Sequence, residues 1–293
     1  MAAPVELLAP TLRKRTMATL MWGRFRRNKA AVIGGSFVLL LILCAIFAPV
    51  IAPYSDTQAN FLATYQAPSW QHWFGTDELG RDLLTRLLYS LQTASLVGFG
   101  AEAVELTIGL FLGAIAGYIG GAVDAVLMRI VDIVYGFPSL LFSIILVVLL
   151  GHSLLSILIA VSATSWVSMA RIVRSQVIVV KQSDYVSAAR GMGASWWQIL
   201  RRYVLPNSLG PIAVSVTFGI PANMMVESAL SLLGLGVEPP TPSWGALIAS
   251  GEQAMFSFPY LLIFPAVTFA VTLLSFTFFG DGLRNVFDNK SVR

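Results

Sequence analysis

The chain has 293 residues, of which 56% are hydrophobic and only 12% are charged, with a formal net charge of +4 and a mean hydropathy of +0.76. A soluble domain carries about 25% charged residues, so this composition excludes an ordinary water-soluble protein and predicts that most of the surface faces lipid. A single cysteine, Cys44, excludes a disulfide framework, and His72 and His152 have no partner at metal-ligand spacing.

Runs without charge define the predicted membrane spans. A helix needs about 20 apolar residues to cross a bilayer, and such runs occur along the whole chain, one of them interrupted only by two glutamates. We predict six transmembrane helices, near residues 31–53, 93–118, 125–150, 154–172, 211–234 and 259–280.

Lysine and arginine predict the orientation of these spans. Residues 1–29 carry seven basic residues, residues 171–206 carry six, and the tail after residue 280 carries three. The segments between them, 54–92 and 237–257, carry two and none. Because basic loops stay on the cytoplasmic side, both termini and the 171–206 segment are predicted to be cytoplasmic.

The segment before the second span has a leucine stripe at helical spacing. Residues 82–92 place Leu83, Leu84, Leu87, Leu88 and Leu91 on one helical face. Two interpretations fit this stripe equally well: a helix lying at the outer membrane interface, or an N-terminal extension of the second span.

Five charged residues lie within or beside the predicted spans. Glu102 and Glu105 share a face of the second span, and they either line a pathway or contact a subunit, or lie near the outer headgroups. Arg129 and Asp132, three residues apart, are interpreted as a local ion pair in preference to solute contacts. Glu227 in the fifth span is interpreted either as a pathway or partner contact or as a structural hydrogen-bond acceptor. A charge at mid-span costs about 2.5–3.5 kcal/mol on insertion scales, so such residues usually face protein or water.

The sequence contains no recognisable motif that would supply energy for uphill transport. A phosphate-binding loop reads G-x-x-x-x-G-K-[ST], and no Gly-Lys pair occurs here. An ion-driven carrier is expected to show internal repeats and buried acids at helix breaks, and no convincing repeat is present. We therefore expect a partner to supply the energy.

The segment 182–211 is long and basic, yet its apolar residues recur near helical spacing. Glycines interrupt this pattern, and glycine permits the positive φ angles of tight turns. The pattern predicts two short helices joined by a turn at Gly191 and Gly193. Leu205-Pro206 is predicted to end the second helix, and Asn207 or Ser208 to cap the next, with Pro211 in its first turn. On these features alone, partner docking and an ordinary surface loop are equally good interpretations.

The same segment resembles the EAA motif of permease subunits of ATP-binding cassette (ABC) importers. That motif reads E-A-A, three residues, Gly, nine residues, Ile, one residue, Leu-Pro. The chain has Ser187-Ala188-Ala189, Gly193, Tyr203 and Leu205-Pro206 at these positions. Ser187 replaces the glutamate and Tyr203 replaces the isoleucine, and the spacing is intact.

Further blocks resemble the "C"-type permeases of dipeptide and oligopeptide importers. They occur in the family's order along nearly the whole chain: residues 27–31, 74–82, 120–132, 227–234, 239–245 and 280–284. The resemblance implies an all-α membrane protein with the type I ABC importer permease fold. It divides the chain into an N-terminal segment, 1–92, and a permease core, 93–293, with the EAA-type loop at 182–206.

The resemblance also implies partners and roles. The expected partners are a homologous second permease, two ATP-binding subunits that hold ATP and Mg, an extracytoplasmic substrate-binding protein and membrane lipid, with no nucleic acid. The chain itself is expected to have no catalytic residue, metal or cofactor and to lie in a prokaryotic cytoplasmic membrane. Contact with the ATPase is assigned to Tyr185, Ser187, Ala188, Ala189, Gly191, Gly193, Leu205 and Pro206.

Alternative functions remain open at this point. The same architecture also imports nickel, glutathione or another small solute. Two alternatives come from other classes: a stand-alone secondary carrier or channel, and a membrane scaffold for assembly or reception. The missing phosphate-binding loop and the intact motif spacing argue against both of these.

Overall fold

The computed structural model describes residues 17–287, which are almost entirely helical and contain no β-strand. Five helices are long and apolar enough to cross a membrane, and a bent pair, α4 and α5, makes a sixth span if it is counted as one. The helices are α1 Met17–Arg27, α2 Lys29–Ile51, α3 Leu83–Ile119, α4 Gly121–Tyr135, α5 Ser139–Leu150, α6 Leu154–Lys181, α7 Asp184–Gly191, α8 Trp196–Ile199, α9 Leu205–Leu232, α10 Trp244–Ala254 and α11 Tyr260–Phe287.

The central helix, α3, contains both the leucine stripe and the second span. Its 37 residues make it about 55 Å long at 1.5 Å per residue. Asp82 caps its N-terminus by accepting a hydrogen bond from the backbone N–H of Thr85 at 2.8 Å. The stripe is therefore an extension of the span, and the alternative of a separate interfacial helix is wrong.

A glycine stripe brings α3 into close contact with α6. Gly109, Gly113 and Gly117 recur every four residues, and a Cβ atom on Gly113 would lie 2.4 Å from the backbone oxygen of Ala170. Small residues at this spacing allow two helix backbones to approach inside a membrane. The stripe explains why α3 and α6 form the centre of the bundle.

The predicted third span is two helices rather than one. α4 and α5 meet at an angle of 78° across a break of a few residues that contains Gly136 and Pro138. A proline removes a backbone donor and disfavours helical geometry in the residue before it. The span predicted at 125–150 is therefore present as a bent pair of helices.

The chain also runs on as a helix through Leu205-Pro206. Residues Leu200–Val204 form a π-helical turn, in which the N–H of Leu205 bonds to the carbonyl of Leu200. This wider turn precedes Pro206, which has no N–H to donate, and α9 then continues to Leu232. The predicted helix end at Leu205-Pro206, with a new cap at Asn207 or Ser208, is wrong.

The basic segments gather at one end of the bundle. Arg24 donates to the carbonyl of Val286, and Lys181 donates to the carbonyl of Tyr118. These contacts bring α1 and the ends of α3, α6 and α11 to the end where the 182–206 segment lies. The charge asymmetry seen in the sequence is therefore an asymmetry of the folded molecule.

Candidate functional site

The segment 182–206 has a sharply defined turn after α7. Gly193 has φ of +83°, and its N–H bonds to the carbonyl of Arg190 while the N–H of Ala194 bonds to the carbonyl of Ala189. This pair of bonds around a left-handed glycine is the Schellman motif, which satisfies carbonyls at a helix end. The predicted glycine turn is therefore present, and Gly193 forms it.

The two glycines of this segment have different roles. Gly191 is the last residue of α7 and is not among the glycines with positive φ. A Cβ atom at either position would meet nothing within 4 Å. The demand for glycine at 193 therefore comes from the backbone angle, whereas the structure places no such demand on 191.

The inner face of this segment is anchored in the bundle. Val186 and Ala189 are 0% and 1% exposed. Val186 belongs to a buried cluster with residues of α3, α6 and α9, among them Val173, Val177 and Ile212. Ser195 and Gln198 form a capping box that starts α8 and fixes the entry to the next turn. The segment is thus a rigid projection of the bundle.

The outer face of the segment carries most of the residues assigned to partner contact. Exposed positions are Tyr185, Ser187, Ala188, Gly191, Gly193 and Pro206, and Leu205 is half-buried. Ala189 instead is buried, with only 1% of its surface exposed. Two adjacent alanines therefore differ completely: Ala188 faces outward and Ala189 faces the core.

The ion pairs near the basic end differ from the sequence prediction. Asp132 accepts from Arg171 of α6 at 2.6 Å, and Arg171 also lies over the ring of Tyr135, 4.1 Å from its centroid. Arg129 is exposed, and no ion pair joins it to Asp132 within residues 17–287. The predicted local pair is wrong because the helix-to-helix contact brings Arg171 nearer.

Glu102 and Glu105 lie inside the bundle near the middle of α3, away from its ends. Their exposed fractions are 3% and 5%. The Glu102 carboxylate rests on Gly219 of α9, where a Cβ atom would lie 1.9 Å from Oε2. Since Gly219 is close to the midpoint of α9, Leu205–Leu232, the interpretation that places both acids near the outer headgroups is not supported.

A cavity of about 570 Å³ is lined by Glu105 and by Gly219, the residue on which Glu102 rests. Glu105, Thr164, Ser165 and Asn223 supply polar groups from α3, α6 and α9, and Phe137 and Pro138 of the α4–α5 break form another wall. Irregular backbone within a membrane occurs where it lines a cavity or is buried in protein. The break between α4 and α5 therefore forms part of the wall of this cavity.

Glu227 is held within its own helix. It is 0% exposed and accepts hydrogen bonds from Ser231 Oγ at 2.9 Å and Ser228 Oγ at 3.2 Å. Its carboxylate thus has donors that Glu102 lacks, which fits the structural interpretation of Glu227.

The sequence prediction missed Asn223 and Thr164. Both are buried, at 3% and 8% exposed, and both line the cavity. An uncharged polar residue within an otherwise apolar span is the only signal that identifies them, and many such residues simply bond to their own helix, as Ser162 does to the carbonyl of Leu158.

The opposite end of the bundle holds a compact cluster of hydrogen-bonded polar residues within 74–82. Asp77 accepts from the N–H groups of Leu79 and Arg81, both at 2.9 Å, and from Arg81 Nε at 2.7 Å. Asp82, besides capping α3, contacts His72 Nδ1 at 2.9 Å. This polar cluster fixes the start of α3.

Two family descriptions match the sequence. Residues 109–293 match the description "Binding-protein-dependent transport system inner membrane component". Residues 16–68 match "N-terminal TM domain of oligopeptide transport permease C". The first match covers more than half of the chain.

Characterised relatives are similar over nearly the whole length. The chain is 42% identical to the oligopeptide transport system permease protein OppC of Bacillus subtilis, over 91% of this chain and 88% of that protein. It is 41% identical to the dipeptide permease DppC of the same organism, over 93% and 85%. The glutathione permease GsiD of Pectobacterium atrosepticum is 37% identical, over 96% and 95%.

The fold also matches a solved transporter. An inward-facing structure of the MetNI methionine ABC transporter superposes with a TM-score of 0.55, covering 71% of this chain and 96% of the matched chain at 18% identity. At that identity the likeness concerns the fold alone.

Proposed function

The chain belongs to the family of binding-protein-dependent transport system inner membrane components, and on that premise we propose that it is the permease subunit of an ATP-driven importer of dipeptides or oligopeptides. It is a multi-pass protein of the inner membrane. The similarity to OppC and DppC over about nine-tenths of the chain supports the peptide substrate. The chain forms one half of the translocation pathway, and a homologous second permease forms the other.

The observation that carries the coupling role is the two-sided character of α7. Its inner face is buried at Val186 and Ala189, and Val186 packs into the cluster with α3, α6 and α9. Tyr185, Ser187 and Ala188 project outward. A projection of this kind offers a surface to a partner and passes force to α3, α6 and α9. In our proposal two ATPase subunits, which hold ATP and Mg, dock on the segments 182–206 of the two permeases.

The proposed mechanism is alternating access between two bundle arrangements. ATP binding closes the ATPases together and moves α7, the spans tilt, and the pathway opens toward a loaded extracytoplasmic binding protein. Hydrolysis on the ATPases resets the cycle. This orientation places both termini and the segment 182–206 in the cytoplasm, in agreement with the basic end of the bundle.

Transport by defined sets of subunits tests the function. The complete complex in liposomes, with its binding protein, is expected to take up oligopeptide only with ATP, and the chain alone is expected to transport nothing. Uptake by the chain alone would instead identify a stand-alone carrier, and no uptake by the complete complex would indicate a scaffold. Glutathione is the second candidate solute because GsiD is similar over 96% of this chain, and nickel is included as a competitor.

Two adjacent alanines test the docking face separately from the fold. Ala188→Trp adds bulk to an exposed position, so we expect the ATPase subunits to be lost from the purified complex while the thermal stability of the chain is retained. Ala189→Trp is the matched control: overpacking a site that is 1% exposed costs about 1–3 kcal/mol and lowers thermal stability. Full ATPase binding and uptake in Ala188→Trp would contradict the docking assignment.

A further inference from the structure

Two residues that line the cavity, Glu105 and Asn223, have unused hydrogen-bonding groups. So does Glu102, whose carboxylate lies against Gly219, another residue of the cavity lining. Both carboxylate oxygens of Glu102, Oε1 of Glu105 and Nδ2 of Asn223 have no hydrogen-bond partner in the part of the chain that the structure describes. Asn223 is 3% exposed and lines the cavity. Buried polar groups in proteins are nearly always paired, and leaving one unpaired in an apolar setting is costly. The pattern therefore points to a group that enters from outside this chain.

The unused groups include hydrogen-bond acceptors on α3 and a hydrogen-bond donor on α9. The carboxylates of Glu102 and Glu105, three residues apart on α3, accept hydrogen bonds and attract a cation. The amide nitrogen of Asn223 on α9 donates only, so it requires an oxygen. The Asn223 amide lies beside Glu105, so a ligand that meets both must present a cation and an oxygen close together.

The arginines of α6 do not supply that cation. Arg171 is paired with Asp132 and Arg174 with Asp124, both with residues of α4. Among residues 17–287, no salt bridge reaches Glu102 or Glu105. The cavity, at about 570 Å³, is in the range of small-ligand sites, with room for more than a single entering side chain.

We propose that this site holds the amino-terminal residue of the transported peptide, with its α-ammonium group on Glu102 and Glu105 and its first carbonyl oxygen on Asn223. The first residue of any unblocked peptide carries these two groups next to each other, whatever its side chain. The site thus gives a peptide pathway a contact that is independent of sequence, and the rest of the peptide lies toward the break at Phe137 and Pro138. This inference rests on the proposed peptide import.

Uptake by the complete transporter in liposomes is the first test, with trialanine as the probe. The isosteric double variant Glu102→Gln, Glu105→Gln keeps side-chain volume, so Gly219 is not displaced. We expect its uptake to fall about tenfold or more, while the exposed control Glu252→Gln retains uptake. Equal uptake by the double variant and the wild type overturns the site. A wild-type complex that takes up no peptide at all refutes the proposed function instead.

Co-purification of the second permease distinguishes a solute-binding site from a contact between subunits. If the second permease no longer co-purifies with the double variant, the acids bind a cation of that subunit and the proposal is overturned. Co-purification at the wild-type level, together with reduced uptake, supports the proposal.

Chemical protection tests the ammonium contact without relying on transport. Dicyclohexylcarbodiimide modifies buried carboxyl groups, and mass spectrometry of the wild-type complex reports the site. We expect trialanine to slow modification of Glu102 and Glu105 severalfold, and N-acetyl-trialanine to have no effect. Glu227, bonded to Ser228 and Ser231, serves as the internal reference. Equal protection by both peptides, or no modification under any condition, overturns the proposal.

Discussion

The turn at Gly193 gives the sharpest prediction about the docking segment. Its φ of +83° is a left-handed conformation, which costs a residue with a Cβ atom roughly 1–2 kcal/mol. Gly193→Ala is therefore expected to weaken the turn by that amount, with no steric clash, because a Cβ there meets nothing within 4 Å. Gly191→Ala is the matched control, since alanine in a helix is more stable than glycine by about 0.5–1 kcal/mol.

Native-state hydrogen exchange of the purified complex measures this difference. A cost of 1–2 kcal/mol raises the local opening equilibrium by a factor of about 5–30, so the amides of Met192 to Ala194 and of α7 should exchange that much faster in Gly193→Ala. In Gly191→Ala the same amides should exchange at the wild-type rate or more slowly. Because asparagine tolerates the left-handed region better than alanine, Gly193→Asn should recover part of the protection.

The functional counterpart is the number of peptides imported per ATP hydrolysed. If a rigid α7 passes force to the bundle, Gly193→Ala lowers this ratio while ATP hydrolysis continues, and Gly193→Asn restores part of it. Wild-type exchange and coupling in Gly193→Ala would refute the reasoning, as would equal damage from Gly191→Ala.

Three further substitutions test the scaffold. Gly113→Leu is expected to lower the midpoint of thermal unfolding in detergent by several degrees, because a Cβ there would lie 2.4 Å from a backbone oxygen of α6; an unchanged midpoint would contradict the close packing of α3 and α6. Asp82→Ala removes the cap of α3 and should cost about 0.5–2 kcal/mol, measured by denaturant unfolding, whereas Asp82→Asn should keep most of that stability. Asp124→Arg should destabilise by about 0.2–1 kcal/mol, and the swap with Arg174→Asp should recover part of the loss if the pair is a direct contact.

Hydropathy predicts the bounds of a helix well where the whole helix is apolar and poorly where the helix continues into a charged stretch. The first span was predicted at 31–53 and is Lys29–Ile51. The fourth was predicted to end at 172, yet α6 continues to Lys181, because its arginines pair with α4 and Lys181 bonds to the end of α3. Tertiary contacts of this kind are not visible in a hydropathy pattern.

Two prolines show the limit of local signals. Pro138 accompanies a 78° break, whereas Pro206 lies in a continuous helix, preceded by the π-helical turn Leu200–Val204. Both prolines lack the same donor. What differs is how the preceding backbone adjusts, and neither composition nor spacing reveals that. The sequence analysis therefore placed a helix end at Leu205-Pro206, where the helix continues, and predicted none at Pro138, where it breaks.

In the candidate site, too, some features are visible in the sequence and others only in the packing. The motif spacing located the segment 182–206, but only the packing shows that Ala188 faces outward and Ala189 inward, since the two residues are chemically identical. Glu102 and Glu105 stood out as charges in a span. Asn223 was missed because an amide in a span is unremarkable until its nitrogen is found without a partner beside a cavity.

Helix α6 connects the two parts of the site physically. Thr164 and Ser165 line the cavity, and the same helix runs without interruption to Lys181, with two residues between it and the start of α7 at Asp184. From Thr164 to Lys181 the helix is about 27 Å long at 1.5 Å per residue. The cluster around Val173 and Val177 connects its far end to Val186 of α7. In the proposed mechanism, a displacement of α7 therefore tilts the helix that forms a cavity wall. Phe137 and Pro138 of the α4–α5 break also line the cavity, so in the proposed mechanism a tilt of α6 relative to the break changes the shape of the cavity.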